Sequence, residues 1–359
     1  MFERGQPGSG GTNLSAAIVR QHYSTELMAR LARRSVEIFA AAESLLGQDA
    51  GYRAVGYHFL ASAETLPAAE RNVAMQRRLG IETELLGPEA LAARCPWLDL
   101  DGVAGAAFEP AGGYADPERA TGAFLASAQA QGAEVHLRTP VRAILRENGG
   151  GRVTGVLTDA GELRAGWVVN AAGPWAGSLA ASAGIALHMR VVREQDTIWQ
   201  ARPERPLPEG SISNTVDAIY IRPLGDRRYI VGRGFPKEYH EVDPCNYKTT
   251  ADPDFVEAVQ RRLTRRIPAF EGARLLHSYA ALYDVTEDWY QYVGPRDGLQ
   301  GYADFCGGSG HGFKVAPAIA EELAGWIAEG RVAPDFAALS HDRVAQGRLF
   351  QQSYGGNRG

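Results

Sequence analysis

The sequence predicts an α/β fold in which a layered unit with a parallel sheet is combined with a second, antiparallel unit. Continuous apolar segments of strand length alternate with helical segments, as at Val141–Arg146 and 167–171, and such strands are typical of a parallel sheet with both faces covered. Over residues 191–234 the segments become short, alternate in polarity and are joined by turn residues, which indicates an antiparallel sheet. At 307–317 a glycine-dense turn runs into a helix with apolar residues three and four apart.

Residues 2–5 have the pattern of a strand end, and a Gly/Ser loop follows at 8–11. Apolar spacing and turn residues then predict further elements: a helix over 25–46 ended by Gly47, a strand over 54–61, and helices over 67–79 and Pro88–Arg94. Asp116 can cap a helix that starts at Pro117 and ends at Gly132. The same signals predict strands over 134–137, Val141–Arg146, 153–157 and 167–171, and helices over 255–265 and from about Val315.

Composition excludes several classes of protein. The chain has 359 residues and a net charge of −5, so it can bury a sizeable core, and its mildly acidic balance argues against a nucleic-acid or anionic-membrane partner. The three cysteines are far apart and suggest neither a disulfide framework nor a metal site. The longest uncharged run, 165–189, is interrupted by Asn170, Pro174 and glycines, so we expect no membrane span. No secretory signal is recognisable, and a cytoplasmic protein is expected.

The glycine-dense turn at 307–317 is the strongest candidate for a binding site. Glycine lets the backbone approach a ligand closely, and the following helix presents free N–H groups and the positive end of its dipole. Together these features favour a group that is, or becomes, negative. His311 and Lys314 add a polar and a cationic side chain. A plain glycine-rich loop before a surface helix is the alternative interpretation.

Several motifs occur in one order along the chain: Glu3-Arg4-Gly5, the segment 18–23 containing Arg20, GYADP at 113–117, VNAAGPW at 169–175, DVTED at 284–288 followed by VGP at 293–295, and GSGHGFK at 308–314. This series resembles the D-amino-acid-oxidase-like FAD-dependent oxidoreductases, particularly the sarcosine-oxidase and glycine-oxidase branch. The resemblance covers residues 3 to about 327. Any one motif is weak evidence, whereas the ordered set is specific.

The resemblance implies a Rossmann-like FAD-binding domain formed by residues 1–50, 115–185 and 285–335, an interleaved substrate domain formed by 51–114 and 186–284, and a tail at 336–359. It also implies contacts between the chain and FAD at these residues: Glu3, Arg4, Val141, Ala171, Gly173, Trp175, Gly308, Ser309, Gly310, His311, Gly312, Phe313 and Lys314. For Glu3, hydrogen bonds to the adenosine ribose are implied, with a frayed terminal charge as the alternative.

The substrate residues implied by the resemblance are Arg20 and Lys314, which would hold a carboxylate. A guanidinium can do this bidentately, and an ammonium adds a point charge. His311 is expected either to tune the flavin or substrate amine or to brace the loop. Arg222, on a predicted strand of the substrate domain, either faces the pocket or is solvated. Tyr283 and Trp289 either line the pocket or pack in the core.

Two departures from the family pattern stand out. The opening strand and G-x-G-x-x-G turn, which would place the FAD pyrophosphate, have no match in the sequence, so we expect an N-terminally truncated domain with reduced FAD affinity. The position that carries the flavin-linked cysteine in monomeric sarcosine oxidases matches Ala281. This predicts noncovalent FAD, although Cys306 lies close to the glycine turn in sequence.

The sequence therefore predicts an FAD-dependent enzyme that oxidises the C–N bond of a small amino acid or secondary amine similar to sarcosine by hydride transfer to flavin N5. Oxygen or an electron-acceptor protein would reoxidise the flavin. One alternative is a flavin-free remnant or non-catalytic subunit with the same fold. The other is a dehydrogenase subunit that passes electrons to a partner protein.

Overall fold

A computed structural model describes residues 1–147, 149–202, 205–234 and 236–354, and the statements on structure below concern this part of the chain. Its strands are, in chain order, Ile18–Val19 (β1), Tyr57–Ala61 (β2), Glu84–Leu86 (β3), Gly105–Glu109 (β4), Gly113–Tyr114 (β5), Val141–Arg146 (β6), Val153–Thr158 (β7), Gly161–Arg164 (β8), Val168–Asn170 (β9), Met189–Gln200 (β10), Ser211–Asn214 (β11), Ile219–Gly225 (β12), Arg228–Arg233 (β13), Arg274–Thr286 (β14), Tyr292–Arg296 (β15) and Leu299–Cys306 (β16).

The α-helices in the same part of the chain are Glu26–Ala40 (α1), Ala42–Leu46 (α2), Leu66–Arg78 (α3), Pro88–Arg94 (α4), Pro117–Ala130 (α5), Ala176–Ala181 (α6), Pro253–Arg266 (α7), Ala316–Glu329 (α8), Pro334–Ala337 (α9) and Asp342–Ala345 (α10). Short 3₁₀ turns occur at Gly173–Trp175 and Pro268–Phe270. None of the described helices is long and apolar enough to cross a membrane.

The larger layer is an eight-stranded sheet with the spatial order β14-β10-β13-β12-β11-β2-β4-β3. Its pairs are antiparallel except β11–β2. Side chains alternate between its faces: Leu60 belongs to the core under α4 and α7, whereas Phe59 packs on the other face with residues of α3. The predicted antiparallel unit is confirmed by this sheet.

The second layer is built around a three-stranded sheet with the order β15-β16-β9, in which β16 and β9 are parallel. Helices α1 and α8 pack together over it and bury residues such as Met28 and Ile319. A small antiparallel sheet, β6-β7-β8, shares a core with α6 and β16. Together the two layers agree with the predicted α/β fold class.

Most predicted elements are confirmed within a few residues, and two are wrong. The segment 134–137 is not a strand, because His136 makes only an isolated bridge with Phe2, and one bridge cannot propagate a ladder. The helix predicted over 25–46 is two helices, since the backbone leaves helical geometry at Ala41 (φ −96°, ψ 12°). The change of direction brings Ala42 against Ala120 of α5.

The apolar strand β9 is less buried than its sequence predicts. Val169 is 42% exposed and Trp167, just before the strand, is 39% exposed. The physical reason is that β9 has a paired neighbour, β16, on one side only. Its parallel ladder therefore ends the sheet at this edge of the described structure.

Candidate active site

The glycine loop, residues 307–315, connects the end of β16 to the start of α8. Its backbone has positive φ at Gly307 (73°), Ser309 (48°) and Gly310 (76°), a conformation in which glycine carries no side-chain penalty. Asp284, at the end of β14, holds the loop: its Oδ2 accepts from Gly307 N at 2.7 Å and its carbonyl accepts from Ser309 N at 2.9 Å. The loop is thus fixed to the large sheet.

The second half of the glycine loop presents backbone donors. Within the described part of the chain, the N–H groups of Gly310, Gly312, Phe313 and Lys314 have no hydrogen-bond acceptor, whereas those of Val315 and Ala316 donate to Gly312 O. Unpaired N–H groups ahead of a helix form a cradle for negative charge. Such donors would suit the N1–C2=O edge of the flavin that the sequence predicts, because negative charge develops there during reduction.

Side chains fix the glycine loop from both sides. Ser309 is fully buried, and its hydroxyl donates to Gly307 O at 3.0 Å. The ring of Phe313 stacks on Phe39 of α1 with centroids 5.5 Å apart. Both side chains point into the protein, so any contact these two predicted cofactor residues make with a ligand would come from their backbones.

His311 is held on both ring nitrogens. Its Nε2 lies 2.6 Å from Trp289 O, and its Nδ1 lies 3.3 Å from the Tyr23 hydroxyl and 3.4 Å from Gln291 Nε2. Burial and the nearby Lys314 lower the pKa of His311 to about 3, so the ring is neutral. Because the carbonyl of Trp289 can only accept, the proton is on Nε2 and Nδ1 is the acceptor. This arrangement favours the loop-bracing role over proton transfer.

Arg20 and Lys314 form a buried cationic pair beside the glycine loop. They are 5% and 8% exposed, and burial followed by the charge of Arg20 holds the pKa of Lys314 well below its usual range. The guanidinium lies over the ring of Tyr23, 4.4 Å from its centroid, and donates to His22 O. Two buried cations at one place are costly unless an anion joins them, so this pair is a candidate site for a carboxylate.

Glu109 is a buried acid whose charge acts on Arg20. It is fully buried, accepts from Gln21 N at 2.7 Å and from Gln76 Nε2 at 2.5 Å, and contributes to the electrostatic environment of Arg20. Burial raises its pKa to about 7, while the bonds from Gln21 and Gln76 oppose the rise. Its negative charge is therefore only partly available to Arg20 near neutral pH.

Arg222 is buried as well, at 7% exposure. Its guanidinium lies 4.3 Å from the ring centroid of Tyr114 and donates to Ala115 O at 3.3 Å, whereas its Nε has no partner among the described residues. Tyr114 pairs with Ile18, two residues before Arg20. The pairing of β1 with β5 thus brings Arg222 towards the Arg20 segment, and the solvated alternative is excluded by its burial.

The remaining predicted cofactor residues lie on other segments. The Arg4 guanidinium stacks over Trp175 at 4.3 Å, and the buried indole Nε1 of Trp175 has no partner among the described residues. Gly173 has φ +52° and faces open space, and Ala171 is exposed. The open space beside Gly173 and the unpaired indole N–H of Trp175 are both compatible with a bound cofactor at the turn 171–175.

Glu3 and Val141 have local partners. Glu3 Oε1 accepts from Gly5 N at 2.6 Å, and its backbone pairs with His136 O and with Thr139 N. Val141 is the first residue of β6 and pairs with Thr158. Neither side chain is brought to the Arg20–Lys314 pair by any contact in the described structure, so their predicted role towards FAD stays a prediction.

Sequence reasoning missed three residues that shape the site: Tyr23, Glu109 and Asp284. Tyr23 bridges Arg20 and His311, and Asp284 fixes the glycine loop. A hydroxyl or carboxylate that acts on a loop 20 to 290 residues away leaves no periodic signal. Only its position within a recognisable motif could have indicated Asp284, which opens the DVTED segment.

Comparisons with known proteins agree with this geometry. The family described as "FAD dependent oxidoreductase" (DAO) matches residues 1–326. The chain is 29% identical to "FAD-dependent oxidoreductase domain-containing protein 1" of Bos taurus, over 89% of this chain and 72% of that protein. It is 27% identical to "4-methylaminobutanoate oxidase (formaldehyde-forming)" of Paenarthrobacter nicotinovorans, where it spans 96% of itself but only 42% of that protein.

Among solved structures, the L-proline dehydrogenase from P. horikoshii superimposes with a TM-score of 0.88 at 30% identity, over 97% of this chain and 91% of that chain. The family match extends through the turn 171–175 and the glycine loop, which are the segments that present unpaired donors or open space. The chain belongs to the DAO family of FAD-dependent oxidoreductases, and FAD is its cofactor.

Proposed function

We propose that the protein oxidises the C–N bond of a small amino acid with a secondary amine, of which sarcosine is the simplest. The observation that carries this proposal is the buried pair Arg20 and Lys314 beside the donor-rich half of the glycine loop. Two desolvated cations hold a carboxylate, and a flavin on the loop would then face the carbon next to it. Bound FAD supplies the hydride acceptor for this reaction.

The chain's own residues would bind and orient the substrate. Arg20 is fixed by His22 O and Tyr23, so its guanidinium is preorganised for a carboxylate. Lys314 adds a second charge, and the fully buried rings of Tyr23 and Tyr290 exclude water from this region. The N–H groups of Gly310 and Gly312 would stabilise negative charge as it develops on the cofactor.

Two relatives support a secondary amine. One is named as an oxidase of 4-methylaminobutanoate and the other as a dehydrogenase of L-proline, and both of these amino acids carry a secondary amine. We also propose that FAD is held noncovalently: Ala281 offers no thiol, and Cys306 is 4% exposed and packs against Ala176 and Tyr292. The assignment of 51–114 and 186–284 to the substrate domain, and of 336–359 to a tail, is part of the same proposal.

The test is anaerobic titration of the FAD-loaded protein with sarcosine, L-proline and glycine while the flavin absorbance is followed. We expect the flavin to bleach with the secondary amines, and we expect Arg20→Lys to raise the apparent Kd about 10- to 100-fold, the range for loss of a charge-assisted hydrogen bond. Arg30→Lys is the matched control, because Arg30 forms an exposed pair with Asp335. Flavin that stays oxidised with every amine would reject the proposal.

A dehydrogenase that uses an electron-acceptor protein is the second candidate, because the structural relative at 30% identity is named a dehydrogenase. The two candidates differ in what reoxidises the flavin. After anaerobic reduction, admission of air distinguishes them: rapid return of the oxidised spectrum supports oxygen as the acceptor, and slow return supports a partner protein.

A further inference from the structure

A chain of buried, hydrogen-bonded side chains lies beside the segment that carries Arg20, and the reaction proposed above does not use it. Its members are at most 5% exposed and come from separate parts of the fold: His22 after β1, Asn72 and Gln76 on α3, Glu109 at the end of β4 and Tyr354 after α10. We call this set the polar chain. Asn72 and Gln76 are four residues apart and therefore share one face of α3.

Glu109 is fixed between two donors. Its Oε2 accepts from Gln21 N at 2.7 Å, and its Oε1 accepts from Gln76 Nε2 at 2.5 Å. The first donor is the backbone of the residue next to Arg20, so Glu109 ties β4 to this segment. A backbone N–H can only donate, and Oε2 must therefore remain an acceptor whether Glu109 is ionised or protonated.

The ionised carboxylate determines the direction of the polar chain. Because it can only accept, Gln76 turns its NH₂ group to Glu109 and its Oε1 to His22 Nδ1, 3.2 Å away. Burial followed by the charge of Arg20 lowers the pKa of His22 to about 3, so the ring carries one proton, and this proton is on Nδ1. His22 Nε2 is then the acceptor for the Tyr354 hydroxyl at 2.9 Å.

The polar chain reaches the candidate carboxylate site through the backbone of residues 20–23. The carbonyl of His22 accepts from the Arg20 guanidinium, which also lies 4.4 Å from the ring centroid of Tyr23. The ring of His22 stacks on Phe59 of β2 with centroids 4.6 Å apart. A group that binds a ligand has to be held to within about 0.5 Å by its neighbours, and the polar chain provides such support for Arg20.

The groups that act on Glu109 come from several elements. They are the guanidinium of Arg20 and the hydroxyls of Tyr23, Tyr52 and Tyr57. Burial raises the pKa of each tyrosine, so these hydroxyls are neutral near pH 7. Burial also raises the pKa of Glu109 to about 7, whereas its two hydrogen bonds and the charge of Arg20 oppose the rise. Glu109 therefore takes up a proton as the pH falls through about 7.

Protonation of Glu109 reverses the polar chain. Since Oε2 must accept from Gln21, the proton is placed on Oε1 and is donated to Gln76, whose amide has to turn its oxygen towards Glu109. The NH₂ group of Gln76 then faces His22 Nδ1, which becomes an acceptor. Glu109 gains one proton from solvent, and His22 keeps one proton, which moves from Nδ1 to Nε2 by exchange with solvent.

We propose that Glu109 is a positioning residue of the carboxylate site: it anchors residues 20–23 through Gln21 N, and its protonation state sets the direction of the polar chain through Gln76 and His22. This inference rests on the proposed function, because that function places a substrate carboxylate at Arg20. Glu109 contacts neither substrate nor cofactor in this scheme. It acts through the segment that carries the guanidinium.

The first test is ¹⁵N NMR of the FAD-loaded protein labelled at histidine, with His22 assigned by its loss in His22→Gln. We expect His22 to be protonated on Nδ1 above pH 7 and on Nε2 below it. Glu109→Gln should give the Nε2–H form at every pH, because the new amide must present its oxygen to Gln21 and its NH₂ group to Gln76. His311 is the internal control, since Trp289 O keeps it in the Nε2–H form. Retention of Nδ1–H in Glu109→Gln would overturn the inference.

The second test asks whether the reversal passes through Gln76. Gln76→Met removes both the donor to Glu109 and the acceptor of His22 Nδ1. In this background, addition of Glu109→Gln should leave the ¹⁵N spectrum of His22 unchanged. A reversal that persists without the Gln76 amide would show that Glu109 does not act through the polar chain.

The third test compares acetate binding in Glu109→Ala and Glu109→Gln. Both variants lack the charge of Glu109, but only the alanine lacks an acceptor for Gln21 N, so the comparison isolates the anchor. The acetate Kd, followed by the flavin absorbance, should be about tenfold higher in Glu109→Ala than in Glu109→Gln. The limiting rate of anaerobic flavin reduction by sarcosine should be equal in the two. Equal acetate Kd values would refute the positioning role.

The outcomes separate this inference from the proposed function. If His22 reverses as expected but the two acetate Kd values agree, the positioning role is refuted, while reduction of the flavin by amines still supports the enzyme. If sarcosine, L-proline and glycine all leave the flavin oxidised, the proposed function fails and the positioning role fails with it. The NMR test uses only the isosteric variant of Glu109, so it decides the direction of the polar chain even where Glu109→Ala does not fold.

Discussion

The pair formed by Arg343 and Asp288 gives the most direct test of how the site is held. Arg343 Nε and Nη2 bind the two carboxylate oxygens at 2.8 and 2.7 Å, and both side chains are 1% exposed. Asp288 also accepts from Tyr290 N and Phe350 N, at 3.1 Å each. The pair therefore fastens the turn after β14 to the helix α10 and to the chain that follows it.

Replacing Arg343 by Met would leave the carboxylate of Asp288 buried without its cation. Loss of one partner of a buried pair costs about 3–5 kcal/mol, which is a large part of the roughly 5–15 kcal/mol that keeps a domain folded. Carbonyl acceptors at Tyr290, Gln291 and Leu339 would lose their donors as well. We expect the thermal midpoint to fall by about 6–20 °C, at roughly 2–4 °C for each kcal/mol.

The assay is thermal unfolding followed by circular dichroism, with Arg142→Met as the matched control. Arg142 makes the same type of bidentate bond, to Asp159, but both side chains are more than half exposed, and such pairs contribute little. Flavin content is a second readout, because the turn held by Asp288 includes Trp289, whose carbonyl fixes His311. Equal midpoints for the Arg343 and Arg142 variants would refute the reasoning.

Three further changes test the loop, the carboxylate site and the C-terminal segment. Gly310→Ala should lower FAD affinity, because φ is +76° and a Cβ would overlap the ring of Tyr283; retention of FAD on gel filtration at the parent level would contradict this. Lys314→Met should weaken binding of a small carboxylate about 10- to 100-fold without lowering the thermal midpoint, since a desolvated ammonium is removed. Tyr354→Phe removes the hydroxyl that lies 2.9 Å from His22 Nε2, and the carbonyl of His22 accepts from Arg20. Loss of this hydroxyl should loosen His22 and Arg20, so substrate Kd should rise with kcat unchanged. Equal Kd values for the variant and the parent would contradict this connection between Tyr354 and Arg20.

The glycine loop was predictable from sequence because its chemistry is local. Glycine at 307, 310 and 312 and the helix that follows are adjacent in the chain, and together they determine where backbone donors are free. The helices α4 and α5 were also predictable, since Pro88 and the Asp116–Pro117 cap act within one turn. In these regions the information needed is contained within about ten residues.

Only the tertiary structure decided how distant residues act on that loop. His311 is neutral because burial and the charge of Lys314 lower its pKa. It braces the loop because Trp289 O and the Tyr23 hydroxyl lie within hydrogen-bond distance of its two ring nitrogens. The bond between Asp196 and Tyr220 depends on Gly232 of the neighbouring strand β13, where a side chain would fill the space that the bond occupies. Burial and long-range contact set protonation and orientation, and neither is encoded in the spacing of residues along the chain. The sequence by itself determined which groups were available, and packing determined what each of them does.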